Sequence, residues 1–201
     1  MEKMVILGGP SHAEEVALEK LSYLTLAALQ PKPAKLVASY LECRYIKTSI
    51  SKDMLGMEYT SILKNIVAVA SGICRGLGYG DNHQAVLISN ATKEIKRFLD
   101  HVDPSERDLM NSAYLGDLLV TTYSQFSRNR TFGQMIGTGY SVRSAHIEMD
   151  MIAEGYYAAK SIHDVNQIYK VDMPIQDAVY RILYENVSPA FEMNLLSAKM
   201  N

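Results

Sequence analysis

Apolar positions along this chain change their spacing once, and the change divides it in two. Before about residue 55 they fall in short runs. Met4 to Leu7 is apolar and enters Gly8-Gly9-Pro10, as a strand entering a turn does. Leu21 to Leu29 predicts a second strand, Pro33 to Glu42 has helical spacing, and Tyr45 to Ile50 alternates like a third strand. Ser11 is the expected cap of a helix with Glu14 and Glu15 in its first turn, where carboxylates favour the helix dipole. Strands separated by helices predict a parallel sheet with crossover helices, and about half of such a domain is present.

From about Met57 the spacing is helical throughout. Ile62, Leu63, Ile66, Val67, Val69, Ala70, Ile73 and Cys74 fall on one face of a helix over 58–75, at about 100° per residue. Further helices are expected over 82–99, within 104–119, and as one long element over 141–168. Pro174 and Pro189 suit first helical turns and predict helices over 174–186 and 189–198. Tyr123 to Gly139, rich in Ser, Arg, Asn and Gly, reads as a loop with a short helix at most. The organisation expected is an α/β remnant over residues 1–55 and an all-α domain over 56–201.

Composition narrows the function. A hydrophobic fraction of 48% with 21% charged residues in 201 residues is that of a soluble globular chain. The formal net charge of −2 gives no broad positive field, which argues against nucleic acid as a partner. Nothing approaches the length of a membrane span, and the opening apolar run is too short for a signal peptide. Cys43 and Cys74 lie far apart without metal-ligand spacing, so reduced thiols and a cytoplasmic location are expected. His12, His83, His101, His146 and His163 show no metal-ligand spacing either, and no metal is expected.

Four segments carry candidate chemistry. Lys64 lies opposite the apolar arc of its helix, on the stripe of Ser71 and Arg75, with Asn65 nearer the arc's edge. It reads either as a solvated lysine or as one facing a cleft, where desolvation and neighbouring cations fit a lysine for proton transfer. Asp117 is a lone carboxylate in an apolar stretch, with Thr121 a turn later. It is either a turn residue or an acid that holds Lys64 in place. Ser127-Arg128-Asn129-Arg130 sets a hydroxyl, two guanidinium groups and an amide side by side, suited to bidentate recognition of phosphate and equally compatible with a solvated basic loop. Gly76-Leu77-Gly78-Tyr79-Gly80 follows a helix rather than a strand, and Asp81 stands where a dinucleotide fingerprint needs glycine or alanine. It reads as a helix end and turn.

Taken in order, several motifs resemble those of the NAD(P)-dependent glycerol-3-phosphate dehydrogenase family. They are Gly-Pro-Ser-His-Ala-Glu-Glu-Val (9–16), Leu-Lys-Asn-Ile-Val-Ala-Val-Ala-Ser-Gly (63–72), Gly-Leu-Gly-Tyr-Gly-Asp-Asn (76–82), Leu-Gly-Asp-Leu (115–118), Ser-Arg-Asn-Arg-Thr-Phe-Gly (127–133) and Ala-Glu-Gly-Tyr (153–156). Met-Pro-Ile (173–175) and Tyr-Arg-Ile-Leu-Tyr (180–184) close the series.

The resemblance implies that residues 1–55 end a Rossmann-like dinucleotide-binding domain. It implies that 56–201 form a multi-helix substrate-binding, catalytic domain of the 6-phosphogluconate dehydrogenase-like type. It implies hydride transfer between NAD or NADP and the dihydroxyacetone phosphate/glycerol 3-phosphate pair, feeding phospholipid synthesis, in a homodimer. Lys64 would be the catalytic acid/base. Gly9, Ser11, Lys64, Asn65, Asp117, Thr121, Ser127, Arg128 and Asn129 would contact substrate, and Ala13, Arg128, Ile152 and Glu154 the cofactor. The chain departs from the family at the front, where no Gly-x-Gly-x-x-Gly follows a strand, and His12 stands where an aromatic residue is expected. A chain lacking most of the dinucleotide segment is expected to be inactive alone. Two other readings compete: a related two-domain dehydrogenase acting on another hydroxy acid, and a non-catalytic helical dimerisation or regulatory module.

Overall fold

The structure, a computed structural model, describes residues 4–149 and 151–200. Its chain divides into two compact units. Unit 1 comprises Met1–Ser61 and Glu106–Val120, and unit 2 comprises Ile62–Ser105 and Thr121–Asn201.

In unit 1, strands β1 (Ile6–Gly8), β2 (Ser22–Ala27) and β3 (Ile46–Ser51) form one sheet in that order. Helices α1 (Ala13–Ala17) and α2 (Pro31–Leu41) connect them. The β2–β3 pair is parallel, in register from Ser22 opposite Ile46 to Ala27 opposite Ser51, with α2 as its crossover. Leu26, Ala28, Ala34 and Ala38 form the buried layer between α2 and the sheet, edged by Val5, Val37 and Leu41.

The expectation of a wholly parallel sheet fails at β1, which pairs antiparallel with β2. A parallel crossover needs an element long enough to carry the chain back along the sheet. Helix α1 has five residues, about 7 Å of rise, and cannot do so. Its first turn carries Glu14 and Glu15 as expected, but its N-cap is His12. Ser11 instead donates its hydroxyl to the Gly9 carbonyl at 3.1 Å.

Helix α3 (Met54–Gly76) begins in unit 1 and continues in unit 2. Asp53 precedes it and accepts from the Gly56 N–H at 2.9 Å, three residues on, as a helix cap does. The helix expected within 104–119 starts only at Ser112. Residues 103–111 are irregular, and a π-helical turn (Ser112–Gly116) follows, with the Asn111 side chain accepting from the Ala113 N–H. The Arg107 side chain is drawn onto Asp53 and the Asp108 carboxylate accepts from the Met110 N–H, contacts that take these residues out of helical geometry. The π-helical turn leads directly into α5 (Asp117–Tyr123).

Unit 2 is helical: α4 (Asp81–Val102), α6 (Arg128–Gly137), α7 (Val142–Glu148), α8 (Glu154–Tyr169), α9 (Pro174–Tyr184) and α10 (Pro189–Lys199), with the greater part of α3. The apolar face expected on α3 is buried: Leu63, Ile66, Val67, Val69, Ala70, Ile73 and Cys74 are almost wholly covered. Burial pushes the Cys74 thiol up to about 12, so it behaves as a small apolar group. Gly76 to Gly80 is the expected helix end, with Gly78 at φ +88° and the Tyr79 N–H returning to the Cys74 carbonyl.

Two helical expectations in this unit are corrected. The segment read as a loop with a short helix at most is helical over ten of its residues, α6, capped by Ser127, whose hydroxyl accepts from the Arg130 N–H. Its glycines mark close packing, not a turn. A Cβ on Gly133 would run into the Val69 carbonyl, one on Gly137 into the Ile73 carbonyl, and one on Gly72 of α3 into the Arg130 carbonyl. The single helix expected over 141–168 is two, α7 and α8. In one continuous helix the Gly155 N–H would bond back along its own chain. Here it donates to Asn129 Oδ1 at 2.8 Å, and α8 starts afresh.

Candidate functional site

In unit 2 three motifs meet around Gly155. Its N–H is bonded to Asn129, the third residue of Ser-Arg-Asn-Arg. An added Cβ would lie 2.6 Å from the Asn65 carbonyl and 3.1 Å from Asn129 Oδ1. Asn65 in turn donates its side-chain amide to Glu154 Oε2 at 3.3 Å. Two amides thus fix the start of α8 against α3 and the head of α6. They do so because α8 presents, in its first turn, a residue with no side chain to keep the helices apart.

The charged groups around this junction differ in exposure. Arg128 opens α6 with its side chain in solvent, and Nη1 reaches the Met151 sulfur at 3.7 Å. Its neighbours Ser127 and Asn129 are buried, each engaged with backbone. Lys64 precedes Asn65 on α3 and is half-buried. Ile152, 62% exposed, and the exposed Glu154 stand at the entry to α8. Thr121 is buried on α5, and its neighbour Thr122 accepts through its carbonyl from the Ser71 hydroxyl at 3.1 Å. The segments that meet at this helix junction thus carry the cations Arg128 and Lys64, the Glu154 carboxylate and the exposed Ile152 side chain.

The remaining expected residues lie in unit 1. Asp117 is buried, and its Oδ2 accepts from the Gly9 N–H at 3.4 Å. Gly9 has φ +109°, and a Cβ there would lie 2.6 Å from the Tyr23 carbonyl, so glycine is required. Ser11 braces the same loop through the Gly9 carbonyl. His12 Nε2 lies 3.3 Å from the Val120 carbonyl, and Ala13 is exposed at the head of α1.

Unit 1 also holds a polar cluster that the sequence reading missed. Asp53 Oδ2 accepts from Arg107 Nε at 2.6 Å and from the Tyr114 hydroxyl at 2.6 Å, while Oδ1 accepts from Arg107 Nη2 at 3.2 Å. Burial alone would raise the Asp53 carboxyl. The hydrogen bonds from Arg107, Tyr114 and the Gly56 N–H outweigh it and hold the group below the usual carboxylate range. Burial, then the bond to Asp53, push the Tyr114 phenol well above its ordinary value. These partners are 54 and 61 residues apart in sequence, and no local spacing announces them. Gly155 was visible only as one glycine in Ala-Glu-Gly-Tyr.

Among the described residues, no helix is long and apolar enough to cross a membrane. The chain is 39% identical over 183 residues to a glycerol-3-phosphate dehydrogenase [NAD(P)+] of Staphylococcus aureus, matching 91% of this chain and 55% of that protein. It is 37% identical over 194 residues to the Staphylococcus carnosus protein of that name, matching 96% of this chain and 58% of the relative. The chain thus spans a little over half the length of these relatives. The crystal structure of glycerol-3-phosphate dehydrogenase from Coxiella burnetii superposes with a TM-score of 0.93 at 32% identity, over 96% of this chain and 59% of that one. The helical part accordingly has the 6-phosphogluconate dehydrogenase-like form expected. The family model for the NAD-dependent glycerol-3-phosphate dehydrogenase C-terminus matches residues 53–194. With most of its length under that model, and with the motifs of α3, α6 and α8 meeting at one junction, the chain belongs to the NAD-dependent glycerol-3-phosphate dehydrogenase C-terminus family.

Proposed function

We propose that this chain is the substrate-binding, catalytic part of an NAD(P)-dependent glycerol-3-phosphate dehydrogenase, with the functional division near residue 55. The observation that carries the reading is the junction at Gly155, where the Leu-Lys-Asn, Ser-Arg-Asn-Arg and Ala-Glu-Gly-Tyr segments are tied by the bonds of Asn65 and Asn129.

The substrate pair is dihydroxyacetone phosphate and glycerol 3-phosphate. Arg128 offers a planar fork of donors to the phosphate, and its place at the N-terminus of α6 adds the helix dipole to its charge. Ser127 and Asn129, committed to backbone, hold the head of that helix still, so orientation is set before substrate arrives. Lys64 protonates the C2 oxygen of dihydroxyacetone phosphate, or takes the proton from the C2 hydroxyl in reverse. Asn65 orients the adjoining carboxylate of Glu154. Gly9, Ser11, Asp117 and Thr121 are assigned to substrate contact by their motifs.

The residues at the head of α8 fit a dinucleotide: Ile152 gives an exposed apolar surface for a flat ring, Glu154 an acceptor for hydroxyl or amide, and Arg128 a cation for phosphate. Ala13, exposed at α1, is assigned to the same cofactor by its motif. When bound, the nicotinamide supplies the hydride, and this chain's residues supply the proton, the phosphate contact and the orientation.

Cytoplasmic location is supported by two free cysteines, Cys43 and Cys74. A homodimer is supported by Phe191 and Leu195, both exposed and four residues apart on α10, an apolar strip that a second copy would cover. Light scattering tests the dimer. Titration calorimetry with glycerol 3-phosphate tests the site: Arg128→Ala should weaken binding at least about tenfold, while Lys64→Met retains it. Equal binding by the wild type and Arg128→Ala would overturn the assignment.

A further inference from the structure

Asp117 begins α5 immediately after the π-helical turn, and its carboxylate reaches the Gly9 N–H. A π-helical turn is wider than an α-turn and rare. It persists only where outside contacts hold it. Relaxation to α-helical winding would change the register, and a one-residue slip in a helix rotates each following side chain by about 100°. Asp117 would then leave Gly9.

Both ends of the turn have local support. The Asn111 side chain accepts from the Ala113 N–H at its start, and the Leu115 N–H returns to the Leu109 carbonyl. In the middle, Tyr114 is tied down by its side chain: the residue is 7% exposed and its hydroxyl donates to Asp53 Oδ2 at 2.6 Å. Asp53 is in turn bonded on all sides of its carboxylate, accepting from Arg107 Nε and Nη2 and from the Gly56 N–H at the start of α3. The opposite partner, Gly9, is fixed against β2 through its close approach to the Tyr23 carbonyl. Gly116 lies beneath Pro10, where an added Cβ would meet the ring at 3.7 Å.

We propose that Tyr114, backed by Asp53 and Arg107, is a positioning residue for Asp117: its hydroxyl locks the π-helical turn in the register that delivers the Asp117 carboxylate to Gly9. The functional weight of this rests on the reading of Asp117 as a substrate-site residue. The geometry does not. Because burial and Asp53 keep the phenol protonated, Tyr114 stays a donor across the physiological range.

Amide hydrogen exchange on the full 201-residue chain, followed by NMR, tests the proposal. Tyr114→Phe keeps the ring and removes the hydroxyl. Exchange at Gly9 should rise at least about tenfold, while the β2–β3 ladder amides of Leu24 and Leu26 keep their protection. Asp53→Asn should act in the same direction. Unchanged Gly9 exchange in Tyr114→Phe, or a rise spread equally over the ladder, would overturn the proposal, the second outcome marking a merely structural role. Glycerol 3-phosphate binding gives the separate functional arm. Asp117→Asn should weaken it, and adding Tyr114→Phe to Asp117→Asn should weaken it no further, the non-additivity of two residues acting through one group. Binding untouched by Asp117→Asn would overturn the site reading and leave the exchange result to decide the positioning.

Discussion

Gly133 of α6 lies so close to Val69 of α3 that a Cβ on the glycine would enter the Val69 carbonyl. Gly137 repeats the relationship one turn on with Ile73, and Gly72 and Gly76 repeat it from the other helix. The two helices thus meet backbone to backbone, and the position of Arg128 depends on that crossing. Gly133→Ala should cost about 2–3 kcal/mol, since neither backbone can give way cheaply. In thermal melting this is a loss of about 5–10 °C. A melting temperature within a degree of the wild type would show that the crossing is looser than described.

Asn129 should matter to the fold as well as to the site. Asn129→Ala leaves the buried Gly155 N–H without its acceptor, a cost of about 1–3 kcal/mol. Asn129→Asp keeps an acceptor at that position and should lose much less. Chemical denaturation of the two variants compares them directly, and equal losses would mean that the bond contributes little.

Glu94 is 5% exposed on α4, and its two oxygens accept one hydrogen bond each, from the N–H groups of Ile175 at 2.9 Å and Gln176 at 3.0 Å. With Pro174 at the first position of α9, these are the donors next in line at the helix start. Burial pushes the carboxyl up to about 8, against the lowering effect of those bonds and of Arg97, with Asp177 acting in the raising direction. A folded value above the unfolded one makes a contribution that is present in acid and lost as pH rises from about 4.5 through about 8. Stability should therefore decline over that window, and Glu94→Gln should flatten the decline while costing about 1–3 kcal/mol at its lower end. Denaturant midpoints at intervals across the window give the slope. An equal slope in both proteins would remove Glu94 as its source.

Asp53 has the opposite sign. Its folded value is lowered, so its contribution is present above about pH 4 and lost as pH falls through the folded value. Asp53→Asn should lower stability at neutral pH by about 3 kcal/mol, because Arg107, 5% exposed, is left without its carboxylate. The variant should also lose less on further acidification than the wild type does.

Lys64 and Arg128 should separate in kinetics wherever turnover is measured. Lys64→Met should lower kcat by at least about 100-fold with little change in KM, as loss of a proton donor does. Arg128→Ala should raise KM for dihydroxyacetone phosphate with little change in kcat; equal falls in kcat and kcat/KM at unchanged KM would instead place the guanidinium's contribution in the transition state. NADH consumption read optically gives both. A Lys64→Met enzyme at full rate would end the acid/base assignment.

The change from strand to helix spacing, the buried face of α3, the proline starts of α9 and α10 and the turn at Gly76–Gly80 were all legible along the chain. Each of these follows from contacts within a few residues: apolar periodicity, a proline's fixed φ, a glycine's positive φ. Ordered motifs also carried the family. The rest depended on contacts between segments distant along the chain. Glycines that read locally as a loop form α6, because α3 brings a backbone where side chains would stand. A helical period over 141–168 is cut because Asn129 takes the Gly155 N–H. The helix expected within 104–119 starts only at a π-helical turn anchored on Asp53, 61 residues from Tyr114. Backbone donors and acceptors are satisfied by whichever partner lies nearest in space. Where that partner is distant along the chain, no spacing in the sequence reveals it.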